Sequence, residues 1–151
     1  MSSDHPVFNR YTPGLHHVGS YQSSARPAVY SNIICPASGA TTTSAKEIAF
    51  QNVTKFVTVR NDGDDDEDTN TDASIRLAFA PIGVHQSTGD YYNFIKIAAS
   101  ESFSADVKVT RLYLMSDSAH TPLVTVVAGL TNIPATYLSS SWTGSVGIEG
   151  G

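Results

Sequence analysis

The chain has 151 residues, 40% of them apolar and only 15% charged, a length that suits one domain around one core. Its formal charge is −5, yet seven of its acids crowd between Asp62 and Asp72, and the Lys and Arg outnumber the acids that remain without clustering, so neither a nucleic-acid footprint nor a wholly acidic surface is expected. One cysteine, Cys35, allows no intrachain disulfide; no stretch approaches the ~18 apolar residues of a membrane span, and Asp4, His5, Pro6 and Arg10 interrupt the start where a secretory signal is apolar.

In chain order, residues 1–27 are rich in Ser, Pro, Gly and His and show no sustained period, which predicts an N-terminal arm. The arm nonetheless carries Val7, Phe8, Tyr11, Leu15, Val18 and Tyr21, large side chains that unanchored tails usually lack. They are expected to be pinned on the chain's own core or on a neighbouring subunit. Residues 28–130 follow as the folded domain. There, short apolar runs recur at roughly the 8–12-residue spacing of β-sandwiches.

Strands are predicted over residues 29–34, 47–50, 55–60, 75–79, 93–98, 105–109, 111–115 and 123–128. Several alternate as half-buried strands do: Val57 and Val59 against Phe56, Thr58 and Arg60; Leu112 and Leu114 against Arg111, Tyr113 and Met115. No window supports an amphipathic helix. The expected fold is all-β, a single jelly-roll-like β-sandwich of about eight strands. An immunoglobulin-like sandwich is the nearest competitor, though its Cys…Trp…Cys spacing is missing. Residues 131–151 read as a C-terminal arm that again carries large side chains, Ile133, Tyr137, Leu138 and Trp142.

The acidic run holds Asp62, Asp64, Asp65, Asp66, Glu67, Asp68 and Asp72. Oxygen ligands this dense suit Ca²⁺, but Gly63 comes too early and no Glu closes the run as an EF-hand loop requires. A solvated hairpin loop is the first reading; weak divalent binding and docking to a basic partner are the others. His16 and His17 are adjacent, so on an extended chain they point to opposite faces and cannot readily share a metal. His5, His85 and His120 are scattered.

No Gly-x-Ser-x-Gly elbow is present, the Gly144-Ser-Val-Gly147 stretch has the wrong pattern, and Cys35 lies in no nucleophile signature. The chain is therefore expected to be no enzyme and to need neither cofactor nor resident metal. Asn52-Val-Thr54 fits the glycosylation triplet, which carries little weight without a secretory signal. Trp142 with Tyr11, Tyr21, Tyr91, Tyr92 and Tyr137 suits anchoring at an interface or, as the second reading, a carbohydrate platform. A platform of that kind is expected around Tyr91, Tyr92 and Asn93.

Three segments in order resemble small virion structural proteins of tailed phages, particularly marine and cyanobacterial ones: LHHVGSYQSSARPA (residues 15–28), IAFQNVTKFVTVRN (residues 48–61), and VKVTRLYL (residues 107–114) with VVAGLTNI (residues 126–133) and WTGSVG (residues 142–147). The resemblance implies a capsid decoration or cement protein, jelly-roll-like and oligomeric, made in the host cytoplasm and seated on the major capsid protein. The acidic run departs from that pattern as an insertion into a hairpin. Expected partner contacts are Val7, Phe8, Tyr11, Leu15, Tyr21, Tyr137, Leu138 and Trp142, with a homotrimer favoured by the threefold positions of an icosahedral shell. No membrane partner is expected. The alternative is a carbohydrate- or receptor-binding module of a phage fibre, collar or tail.

Overall fold

The structure, a computed structural model, describes residue 14 and residues 24–38, 45–63, 73–85, 87–88 and 91–137. Ten strands run through them: β1 Arg26–Ile34, β2 Lys46–Ala49, β3 Asn52–Gly63, β4 Ile75–Ala78, β5 Ser87–Thr88, β6 Tyr91–Tyr92, β7 Ile95–Ile97, β8 Ser102–Ala105, β9 Arg111–Ser116 and β10 Leu123–Pro134. The described residues contain no α-helix, only a 3₁₀ turn at Ala135–Tyr137. The expectation of an all-β chain holds.

Eight strands form two four-stranded sheets, β1-β10-β3-β8 and β2-β9-β4-β7, and β5 pairs with β6 in a separate ribbon. Every pairing is antiparallel. The pairs nest: β1 lies against β10, β2 against β9, β3 against β8 and β4 against β7, with the small ribbon at the innermost point of the series.

Alternation decides which side chains meet. Val57 and Val59 of β3, with Val124, Val126 and Ala128 of β10, are buried from the first sheet; Ile75 and Leu77 of β4, Ile97 of β7 and Leu112 and Leu114 of β9 are buried from the second. All belong to one hydrophobic cluster, so the sheets share a core in a sandwich-like, two-layer arrangement. Truncating Leu112 or Leu114 to Ala would open a cavity there and cost about 2–5 kcal/mol.

Side-chain hydrogen bonds fasten this core at several points. The fully buried Thr54 donates from Oγ1 to the Val107 carbonyl (2.6 Å) and accepts the Val109 amide (3.0 Å). Thr131 Oγ1 donates to the Val53 carbonyl (2.7 Å) and accepts the amide of Ile133 (3.2 Å). Asn61, also fully buried in β3, reaches across to the second sheet.

Several strands differ from the sequence reading: β1 and β3 are longer than expected, at Arg26–Ile34 and Asn52–Gly63, and β5 and β6 were not expected. β8 occupies Ser102–Ala105 and not residues 105–109; Val109 is buried by pairing with Thr54, whose amide donates to its carbonyl at 3.0 Å. β7 is shortened to Ile95–Ile97. β10 continues past residue 128 to Pro134, so residues 131–134 are strand, with Pro134 in register with Asn52. In β9, Tyr113 and Met115 point away from the main core yet are buried, because a turn over residues 79–85 covers them. Gly83 permits that cover: a Cβ there would lie 2.9 Å from the Ala78 Cβ.

Candidate functional site

The stem of the acidic loop is built by Asn61. Its Nδ2 donates to the carbonyls of Ala73 (2.8 Å) and Ile97 (3.1 Å), while its Oδ1 accepts the Gly63 amide (3.0 Å). One side chain thus joins the last turn of β3 to the segment that re-enters β4. Asp62 Oδ2 accepts a hydrogen bond from Thr125 Oγ1 at 2.6 Å, and Oδ1 lies 3.3 Å from Arg60 Nε. Both of its oxygens therefore have partners on the outer face of the first sheet. Asp64, Asp65, Asp66, Glu67, Asp68 and Asp72 lie outside the described residues. Among the described residues, no group of three or more His, Cys, Asp and Glu side chains gathers as a metal site.

Of the arm residues, Val7, Phe8, Tyr11, Leu15, Tyr21, Leu138 and Trp142 also lie outside the described residues. Tyr137 closes the 3₁₀ turn, which the Ala135 amide ties to the Gln51 carbonyl at 3.1 Å. The chain just before β1 has a defined place: the Ala25 Cβ and the Phe56 ring both press on Gly129, where an added Cβ would stand 2.6 Å from the first and 2.3 Å from the second.

Those contacts belong to the outer face of the first sheet. Across it, Val29 of β1, Val127 of β10, Thr58 of β3 and Ser104 of β8 lie in register, and Ile34 lies beside Leu123. Val29 is 63% exposed and Ile34 62%, whereas Val127 and Leu123 are half-buried. Toward β8 the face turns polar: Thr58 and Ser104 share a 2.7 Å hydroxyl bond, flanked by Arg60 and Asp62. The face is apolar on its β1 side and polar on its β8 side.

The outer face of the second sheet differs. Val84, Ala78, Tyr113 and Met115 form a small second cluster with Phe94 packed on it. The Arg76 guanidinium sits 4.8 Å from the Phe94 ring centroid, donates from Nη1 to the Val84 carbonyl (3.1 Å) and from Nε to Asp117 Oδ1 (2.6 Å). Lys96 Nζ meets the other Asp117 oxygen at 2.7 Å. Partial burial alone would raise the Asp117 pKa, but the hydrogen bonds from Lys96 and Arg76 outweigh it and hold the carboxyl below its ordinary value. Tyr92 stacks on Phe94 at 4.9 Å and 24° and is itself 63% exposed. At the end of the turn over residues 79–85, His85 Nε2 is buried without a hydrogen-bond partner among the described residues.

Cys35 is fully enclosed by the main core, and burial pushes its thiol up to about 12, so it is a packing residue here. The sequence singled out Tyr92 but neither Asn61 nor the Arg76–Asp117–Lys96 set. Their signal is present but weak: a charged residue in the middle of each of two short strands that pair with each other, Arg76 opposite Lys96. The chain matches no protein-family model, and a search of curated proteins finds no match.

Proposed function

We propose that this chain is a jelly-roll structural subunit of a tailed-phage virion, a decoration protein that binds the outside of the capsid and stabilises it by protein–protein contact. The observation that carries the reading is the outer face of the first sheet, where Val29 and Ile34 stand in water on strand β1. Burying what remains exposed of these two side chains contributes about 1–2 kcal/mol each, one part of what an interface needs. The polar half of the face, from Thr58 and Ser104 to Arg60 and Asp62, supplies the rim that such interfaces carry.

The nested pairing supports the jelly roll: it is the pattern made when one long antiparallel hairpin is rolled into two sheets, giving the orders β1-β10-β3-β8 and β2-β9-β4-β7. The resemblance of residues 15–28, 48–61, 107–114, 126–133 and 142–147 to phage virion proteins suggests the partner, the major capsid protein, and a location on the virion surface. In this reading the chain acts as a homotrimer, with the arm residues from Val7 to Tyr21 and from Tyr137 to Trp142 extending the contact.

The test is to mix purified protein with capsid shells that lack it and weigh free and bound species by light scattering. Saturation at a fixed stoichiometry is expected, and Val29→Asp with Ile34→Asp should abolish it while the melting curve stays put. A protein that ignores the shells, or a double variant that still binds them, would overturn the reading.

A further inference from the structure

We infer that Asp62–Gly63 is a latent modification site, a pair that ages to isoaspartate when the stem of the acidic loop opens and that the folded stem protects. The inference stands apart from capsid docking, because it rests only on the end of strand β3 and its partners.

An Asp–Gly pair is prone to this change because glycine puts no side chain in the way of its own nitrogen. The Gly63 nitrogen attacks Cγ of Asp62; an N–C bond forms, a carboxyl oxygen leaves as water with the amide proton and the acid proton, and a succinimide ring remains. Water then opens the ring at the main-chain carbonyl carbon, so Gly63 stays bonded through Cγ. The product has the same mass and a backbone longer by one atom. The fold itself imposes the labile pair: Gly63 sits at φ 89°, which L side chains rarely adopt, while an added Cβ would meet nothing within 4 Å, so conformation and not space requires glycine.

The structure draws the two reacting groups apart. Thr125 Oγ1, at 2.6 Å, and Arg60 Nε, at 3.3 Å, hold the Asp62 carboxylate over the outer face of the first sheet. The Gly63 amide donates instead to Oδ1 of the buried Asn61, at 3.0 Å. Asp117–Ser118, the other described aspartate followed by a small residue, is held in the same manner: Arg76 and Lys96 take its carboxylate at 2.6 and 2.7 Å, and Ser116 Oγ takes the Ser118 amide at 3.2 Å. Asp62 has the more open side chain, 33% against 21%, so it is the one released first. Isoaspartate there would displace Gly63 and take its amide from Asn61, undoing one of the three side-chain bonds that close the stem.

The test ages the full chain at pH 7, folded and in urea, and sequences its peptides by electron-transfer fragmentation, which tells isoaspartate from aspartate. In urea Asp62 should isomerise faster than Asp106 and Asp117; in the folded chain its rate should fall about tenfold or more. Thr125→Val keeps a β-branched side chain in β10 but loses the hydroxyl, and should speed the folded reaction about threefold to tenfold with the urea rate unchanged. Asp117 is the internal reference and should age at its native rate in that variant. Arg60→Gln, at a side chain 62% exposed, should act in the same direction and decides if Thr125→Val loses its fold. Equal rates at Asp62 in the folded and unfolded chain, no acceleration in either variant, or acceleration of Asp117 alongside Asp62 in both would each overturn the proposal.

Discussion

The Asn61 side chain donates to the backbone carbonyl of Ala73 at 2.8 Å, joining the two ends of the acidic loop. The same amide group reaches Ile97, and the Asn61 backbone accepts the Ser100 amide at 2.8 Å and donates to the Glu101 carbonyl at 3.0 Å.

Replacing Asn61, which has no exposure, by Ala leaves the Ala73 and Ile97 carbonyls without this buried donor and the part-buried Gly63 amide without its acceptor. The expected loss is about 2–4 kcal/mol, read as a lower urea midpoint with an unchanged slope. Asn61→Asp should be worse at neutral pH, because a carboxylate would face two carbonyl oxygens. A shift below about 0.5 kcal/mol would show that water replaces the amide.

Asp117 gives the chain a defined acid response. Its folded pKa is lowered from 3.8, so the unfolded chain binds the proton more readily; the stabilisation is present above 3.8 and is lost as pH falls through the lower folded value. Asp117→Asn should remove that part of the pH dependence and lower stability at pH 7 by about 1 kcal/mol, discounted for the exposure of Lys96. Melting temperatures of both proteins from pH 7 to pH 2 should converge at the acid end.

Gly129 is sterically required. A Cβ at this position meets the Phe56 ring at 2.3 Å and Ala25 at 2.6 Å, so Gly129→Ala should cost about 1–3 kcal/mol through displacement of the ring. Phe56→Leu in the same chain should restore part of the loss. Additive effects in the double variant would mean that the ring is not what the methyl meets.

Cys35 should be silent until the fold opens. With its thiol pushed up to about 12 and enclosed in the core, it should resist a thiol reagent at pH 8 and react at once in denaturant. Fast labelling of the native protein would indicate that β1 separates from the core on the timescale of the reaction.

The strands that were legible in the sequence are those whose inner and outer residues differ in kind. In β3, Val57 and Val59 alternate with Phe56, Thr58 and Arg60, and the structure buries the valines fully. β8 was misplaced because its inward residues, Phe103 and Ala105, are separated by serines and only half-buried, while Val107 and Val109 next door look more strand-like than they are. Residues 79–85 gave no warning that they would cover β9, since Pro81, Gly83 and Val84 carry no period. Tyr92 was readable as an aromatic in a turn-rich stretch; its support from Phe94, Arg76 and Asp117 depends on β4 and β7 pairing, which a single sequence does not disclose.

β1 has no strand partner on its outer side among the described residues, yet it is poorly shaped to acquire one. Pro27 lacks an amide to offer, the register with β10 slips between Tyr30 and Ile33, and Asn32 sits there at φ 58°, bending the ribbon. A protein with a long bare strand edge risks joining copy to copy into open-ended fibres through it. Here the backbone of that edge is broken while its side chains, Val29 and Ile34, stay exposed, which disfavours runaway strand-to-strand polymerisation.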